Sequence, residues 1–313
     1  MGSVNFSNNP RQDLLDHYYT YLSKYRDLAI ETIGRHRVYT QGFLEWLAYD
    51  SEPDKLNNLT LESVQKFVFY YGKGHGARSR AWMHYALRSF LDFCYANEYV
   101  VRDLSPAIPS VRRVKLSHVP FGIDQKNIIK LLQSIDQTTP ADIRDYTIIL
   151  LLATYGVRGV QIRKLKLEHI LWQKSQINFP PAKGGKQIIQ PLTDDAGNAL
   201  LRYLQDGRPH PTSYTQVFLT LKNPSHPLND SGSLSSIVAR RLRNAMISMP
   251  NDASHGSHIF RHGFATRMIN HNQSIKTIAD MLGHRSLNST FIYTKVDFQT
   301  LQNIPLEWPE VIS

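Results

Sequence analysis

The stretch from Ser105 to Pro120 constrains this chain more than any other. Pro106, Pro109 and Pro120 forbid a continuous helix there, and Arg112, Arg113 and Lys115 crowd between them. A chain broken in this way has to build its hydrophobic cores on either side. The sequence therefore reads as two domains, residues 1–103 and 121–313, joined by a basic linker at 104–120. At 313 residues there is enough chain for each side to bury a core of its own. The linker is either a solvated connector or a strap whose length and charge suit a phosphate backbone.

Before the break, apolar residues recur at helical spacing. Leu14, Leu15, Tyr18, Tyr19 and Leu22 mark one helix, and Ile33, Val38, Phe43, Leu44 and Leu47 a second. Asn58 or Thr60 caps a third, which carries Val64, Phe67, Val68 and Tyr71 and ends at Lys73-Gly74-His75-Gly76. A fourth carries Trp82, Tyr85, Leu87, Phe90, Leu91 and Tyr95, with Arg78, Arg80 and Arg88 among its aromatics. These four make a small helical domain.

After the break, Ile128 to Leu132 and the nearly all-apolar Tyr146 to Tyr155 predict helices, the second of them buried. Ile170 to Phe179 and Gln187 to Leu192 are β-rich. They flank Pro180-Pro181-Ala182-Lys183-Gly184-Gly185-Lys186, which predicts a hairpin with a lysine-bearing turn. Helices follow near 194–204, 234–249, 259–270 and 275–282, with a short one around Tyr293. The expected fold is mainly α, of α+β type, with one small antiparallel sheet.

Charge narrows the partners. Lysine and arginine number 36 against 26 acidic residues, a formal net charge of +10, which favours nucleic acid ahead of an anionic membrane. The longest apolar run, Thr147 to Ala153, falls far short of the ~20 residues a membrane span needs. Met1 to Arg11 is polar and lacks the apolar stretch of a secretory signal, so a cytoplasmic, nucleoid-associated protein is expected. One cysteine, Cys94, excludes a disulfide scaffold and cysteine-based zinc sites, and its apolar setting predicts a buried thiol. His255, His258 and His262 have spacings a metal could use, but Arg261 sits among them and no carboxylate or cysteine completes a set. Lys73-Gly74-His75-Gly76 lacks the Walker pattern of a nucleotide site.

Chemistry is carried by the order of a few residues along the second domain. Arg158 follows the buried helix in Ala153-Thr154-Tyr155-Gly156-Val157-Arg158, and Lys183 sits on the hairpin turn. Ser257-His258-Ile259-Phe260-Arg261-His262-Gly263-Phe264-Ala265-Thr266 opens another helix, and Leu282-Gly283-His284 precedes Thr290-Phe291-Ile292-Tyr293. In this order and these contexts the sequence strongly resembles the tyrosine recombinases, the phage integrase and Xer-like family, across the whole second domain. The helical first domain with its basic linker resembles the family's SAM-like core-binding domain. One position departs: the family usually has an acidic residue three places after its first arginine, and Gln161 stands there. An amide is expected to support Arg158 from behind, but more weakly.

The resemblance implies DNA cleavage and religation through a 3′-phosphotyrosyl intermediate, without metal, ATP or other cofactor. Tyr293 is implied as the nucleophile, Arg158 and Arg261 as the clamp on the phosphate, and Lys183 as the acid for the leaving 5′ oxygen, with Lys186 its competitor. His258 and His284 would donate hydrogen bonds, His258 also being able to accept the tyrosine proton. The physical logic agrees, because planar, permanently charged guanidiniums suit the non-bridging oxygens of a phosphodiester under attack. Candidate DNA contacts are Arg78, Arg80, Arg112, Arg113, Lys115, Lys186, Arg240 and Arg241; the last two are read either as a solvated face or as phosphate contacts. The implied partner is double-stranded DNA with inverted-repeat half-sites, bound by a homodimer per site and a homotetramer in a synapse that passes through a Holliday junction. The tail after Tyr293, with Trp308 between Pro305 and Pro309, would dock on a neighbouring protomer or fold back onto its own. A type IB topoisomerase and a catalytically inactive DNA-binding protein of the same fold are the alternatives.

Overall fold

The computed structural model describes residues 9–109, 121–182, 186–228, 231–250, 256–284 and 286–293. The chain divides into two compact units, Met1–Lys115 and Leu116–Ser313.

In the first unit, helices α1 (Pro10–Lys24), α2 (Ile30–Trp46), α3 (Asp54–Asn57), α4 (Leu61–Gly72) and α5 (Ala77–Ala96) surround one core. The side chains of Asn9 and Thr60 accept the N–H groups of Gln12 and Ser63, pairing donors that helix starts leave open. Helix α5 packs on α2 and buries Met83, Ala86, Leu87, Phe90, Leu91, Phe93 and Cys94. Tyr85, Tyr95 and, on α2, Val38 are exposed, although their spacing placed them with the apolar face. A helix has one stripe to bury, and on α5 Met83, Leu87, Phe90, Leu91 and Phe93 take it. The Tyr18 hydroxyl, fully buried, donates to Ser89 Oγ at 3.1 Å and meets His36 Nδ1 at 2.9 Å. Burial lowers the His36 pKa to about 4, so that ring is neutral at physiological pH. The Cys94 thiol is pushed up by the same cause.

The second unit is built around helix α7 (Pro140–Tyr155), which follows α6 (Gln125–Gln133). A Thr139/Asp142 capping box and Pro140 start it. It stops at Gly156, whose φ of 60° is left-handed and where a Cβ would come within 2.7 Å of the Phe264 ring. Between these ends Ile148, Ile149, Leu151 and Leu152 are fully buried. Helix α8 (Gly159–Arg163) comes next, then strands β1 (Ile170–Leu171), β2 (Gln176–Phe179) and β3 (Ile188–Pro191) in one antiparallel sheet of order β1-β2-β3. Ile170 pairs with Ile177 and Phe179 with Ile188. The stretch Ile170 to Phe179, read as one strand, is in fact two: the chain reverses through Trp172–Lys174 and Ser175, at φ 48°.

Helices α9 (Asp194–Arg202), α10 (Ser231–Asn244), α11 (His258–Asn270) and α12 (Ile275–Leu282) complete the unit, with short turns at Leu287–Ser289 and Phe291–Tyr293. Helix α10 ends earlier than its apolar pattern suggested because Met246 adopts φ 51°, a conformation no helix continues through. Its arginines also correct the reading of that face. Arg241 is buried, its Nε bonding Asp145 Oδ2 at 2.8 Å and its Nη2 bonding Asp142 Oδ1 at 2.7 Å. It is not a solvated charge, and two of its five N–H donors are held by carboxylates inside the fold. Arg240 gives one nitrogen to Asp145 at 2.6 Å and keeps about half of its side chain in solvent. Arg144 completes this cluster around Asp145, which is 0% exposed. Among the described residues no helix is long and apolar enough to cross a membrane.

Candidate active site

Helix α11 places His258, Arg261 and His262 on one face, at relative positions i, i+3 and i+4. Arg261 is only 3% exposed. Its Nη1 donates to the Gly156 carbonyl at 3.0 Å and its Nη2 to the Leu282 carbonyl at 2.9 Å. These carbonyls lie at the C-terminal ends of α7 and α12, where unpaired acceptors and the negative end of the helix dipole meet. One guanidinium thus ties the turn that leads into Arg158 to the turn that leads into His284. The rest of its five N–H donors have no carboxylate partner among the described residues.

Arg158 immediately precedes α8, and its side chain lines a cavity of about 620 Å³ together with Gly159, Arg163, Ser235, Ser257 and His258. Burial lowers the pKa of Arg158, and burial plus the like charge of Arg158 lowers that of Arg261 to about 9. Both remain cations at neutral pH. His258, at the rim of this cavity, is shifted down by desolvation first and then by Arg261 and Arg158.

Gln161 holds Arg158 through the backbone. Its Oε1 accepts the Arg158 N–H at 3.0 Å while its Nε2 donates to the Pro180 carbonyl at 3.0 Å. An acidic side chain could make the first bond but not the second. The amide therefore also ties down the chain that leaves β2 toward the lysine-bearing turn, a role the sequence reading did not foresee.

Tyr293 ends the last described turn and is 2% exposed. Its Oη lies 2.7 Å from His262 Nδ1, with the ring centres 5.6 Å apart. Burial raises the phenol pKa against the opposing pull of Arg261 and Arg158, so the hydroxyl keeps its proton at neutral pH. Burial, then His258 and Arg261, lowers the His262 pKa to about 4. His284 follows Gly283, which has φ 62° and a position where a Cβ would meet the Ile188 side chain at 2.8 Å. Its Nδ1 lies 2.7 Å from the buried Thr290 hydroxyl, and its pKa is lowered to about 3, chiefly by burial. A ring whose Nδ1 accepts from Thr290 carries its proton on Nε2, as a neutral donor.

The structure thus brings Arg158, His258, Arg261, His284 and Tyr293 into one electrostatically coupled group. Lys183 lies outside the described residues, as do Arg112, Arg113, Lys115, His255 and the tail with Trp308. Lys186 is exposed at the foot of β3, and Arg78 and Arg80 are exposed at the start of α5 in the first unit. His262 and Thr290 were missed as partners of Tyr293 and His284. The signal for His262 was its i+4 spacing from His258, which had been weighed only as metal-ligand spacing.

Residues 122–300 match the phage integrase family, and residues 15–98 match the phage integrase N-terminal SAM-like domain. The chain belongs to the phage integrase family. It is 35% identical over 292 residues to the putative integrase/recombinase y4rA of Sinorhizobium fredii, covering 93% of this chain and 70% of that one. To the tyrosine recombinase XerD of Pasteurella multocida it is 25% identical over 292 residues, covering 89% and 92%. Its fold is shared by the XerH site-specific recombinase bound to palindromic difH substrate, at a TM-score of 0.69 and 21% identity, over 92% of this chain and 83% of that one. The protein is accordingly a tyrosine-type enzyme of site-specific DNA recombination, a strand transferase. Neither the topoisomerase nor the inactive architectural reading is favoured by these relatives.

Proposed function

We propose that this recombinase cleaves each DNA strand by attack of Tyr293 Oη on the scissile phosphorus, with Arg158 and Arg261 holding the non-bridging oxygens. The bond from phosphorus to the 5′ oxygen breaks as the bond to Tyr293 forms, leaving a 3′-phosphotyrosyl link. Lys183 supplies the proton that the 5′ oxygen takes, and Nε2–H of His284 together with His258 adds hydrogen bonds to the phosphate. Because the phosphoryl bond is conserved in the link, a 5′-hydroxyl from a second duplex reverses the step and completes strand transfer without an external energy source.

The observation that carries this reading is that a buried guanidinium, Arg261, and a half-buried one, Arg158, act electrostatically on the tyrosine hydroxyl, in a group that includes no carboxylate ion pair among the described residues. A site of that kind is short of one anion, and a phosphodiester supplies it. The substrate is proposed to be duplex DNA with inverted-repeat half-sites, bound by a dimer on each site and a tetramer in the synapse. Exposed Arg78, Arg80 and Lys186 are proposed as phosphate contacts, and the protein is proposed to act at the nucleoid.

A nicked suicide substrate carrying the half-sites tests this directly. Wild-type protein should accumulate a covalent adduct on a denaturing gel, in EDTA as well as without it, and Tyr293→Phe should form none while binding the same DNA. An adduct that persists in Tyr293→Phe would move the nucleophile elsewhere.

A further inference from the structure

We propose that His262, rather than His258, takes the proton from Tyr293 as the phenol oxygen attacks phosphorus. The proposal rests on the reading of Tyr293 as nucleophile and adds to it the group that makes a protonated phenol competent.

Geometry carries the argument. General-base transfer needs heavy atoms within about 2.6–3.2 Å, and the Oη to Nδ1 distance of 2.7 Å falls inside that range. His258 makes no bond to Tyr293; its ring centre is 6.2 Å from that of His262, toward the Arg158 cavity. Tyr293 and His262 come from elements 31 residues apart, and the bond joins the side chain of a buried tyrosine to that of a half-buried histidine. The groups facing His262 are Tyr293 from the terminal turn, His258 and Arg261 from its own helix, and His284 from the loop after α12. Two of these neighbours are neutral rings and one is a cation. With the pKa of His262 at about 4, its ring keeps an open lone pair at any pH where the enzyme would work.

A neutral imidazole so placed cannot ionise the free phenol, because the phenol is the far weaker acid. The transfer therefore has to accompany bond formation. As Oη begins to bond phosphorus its hold on the proton weakens, and the incoming phosphate charge offsets Arg158 and Arg261, which otherwise oppose an imidazolium. The oxygen lone pair becomes the new O–P bond, the proton passes to Nδ1, and the P–O5′ electron pair leaves with the 5′ oxygen, which is protonated separately. On religation Nδ1 returns its proton to Oη.

The test compares His262→Ala and His262→Asn with wild type on the suicide substrate. Asn places an amide where Nδ1 stood, so it keeps a hydrogen bond but cannot take a proton; it carries the test if the alanine variant melts early. Both variants should bind DNA as wild type does and form adduct about 10²–10⁴-fold more slowly. Their rates should climb with pH through and above neutrality as phenolate forms unaided, where the wild-type rate is flat. Placing a fluorinated, more acidic tyrosine at position 293 should restore much of the lost rate in His262→Asn and do little for wild type. Wild-type cleavage by His262→Asn, or slow cleavage that a more acidic phenol does not improve, would overturn the proposal. A wild-type protein that forms no adduct at all, or a Tyr293→Phe variant that does, would instead overturn the reading of the nucleophile.

Discussion

Arg241 and Arg261 are both buried in the second unit, 9% and 3% exposed, yet their pKa values move in opposite directions. Around Arg241 burial works against the charge, but hydrogen bonds and attraction from Asp142 and Asp145 outweigh it and the pKa rises. Around Arg261 burial acts with the like charge of Arg158, and the pKa falls to about 9. The first cluster, with Arg144 and Arg240, is nearly complete in itself: cations and carboxylates satisfy one another inside the fold. The second is held by main-chain carbonyls, which orient a guanidinium without neutralising it. The difference teaches how a basic protein uses its charge. Arginines paired within the fold hold helices together, and arginines left electrostatically unmatched wait for a ligand.

The comparison can be broken most sharply at Asp145. Its replacement by alanine leaves buried guanidiniums without their anion and should cost about 3–5 kcal/mol of stability, read as a lower urea midpoint. Adduct formation per folded molecule should be unchanged. If Asp145→Ala unfolds at the wild-type midpoint, the carboxylate cluster is not the structural one.

Arg158→Ala should do the reverse. Cleavage should fall by about 10²–10³, while the melting temperature holds or rises because one of two like charges is removed. A large loss of stability there would erase the distinction between the clusters.

A weaker effect separates them without chemistry. Inorganic phosphate at about ten times its dissociation constant should stabilise wild type by ~1.4 kcal/mol, visible as a rise in melting temperature. The rise should vanish in Arg158→Ala and persist in Arg240→Ala. The opposite pattern would place the anion site at the wrong cluster.

A separate effect is expected on acid stability. His262 and His284, at about 4 and about 3 in the fold, take up protons near pH 6.5 once unfolded. Their folded pKa values are depressed, so the unfolded state binds more protons in between. The second unit should hold full stability above about pH 6.5 and lose it progressively as pH falls toward 4. Asp142, lowered first by its Thr139 hydrogen bond and then by Arg241, should contribute only at more acid pH. A double His262→Gln, His284→Gln variant should flatten the slope between pH 6.5 and 4 in urea titrations; an unchanged slope would show that the rings are not held neutral.

Much of this was legible in the chain before any coordinates. The helical periods of Leu14 to Leu22, of Tyr146 to Tyr155 and of Ile275 to Leu282 reappear as α1, α7 and α12. The turn residues around Lys183 anticipated the β2–β3 connection. The order of Arg158, His258, Arg261, His284 and Tyr293 picked out residues that the fold brings into one group. What failed did so where local pattern had to yield to something across the fold. Tyr85 and Tyr95 have helical spacing but face solvent, because Met83, Leu87, Phe90, Leu91 and Phe93 occupy the one stripe that α5 buries. Ile170 to Phe179 has unbroken β character, but Ser175 turns it back on itself to pair Ile170 with Ile177.

Periodicity and residue type determined the helices, the small sheet, the two cores and the kind of chemistry, because each is recorded within a few residues of chain. The tertiary structure alone decided which charge meets which. Arg241 finds Asp145 across 96 positions, Arg261 finds the Gly156 carbonyl across 105, and Tyr293 finds His262 across 31. Nothing local encodes those distances. An arginine followed by a second arginine on α10 reads the same whether it will face solvent, DNA or a buried carboxylate, and only packing α10 against α7 brings both within reach of Asp145 while leaving Arg240 half in solvent.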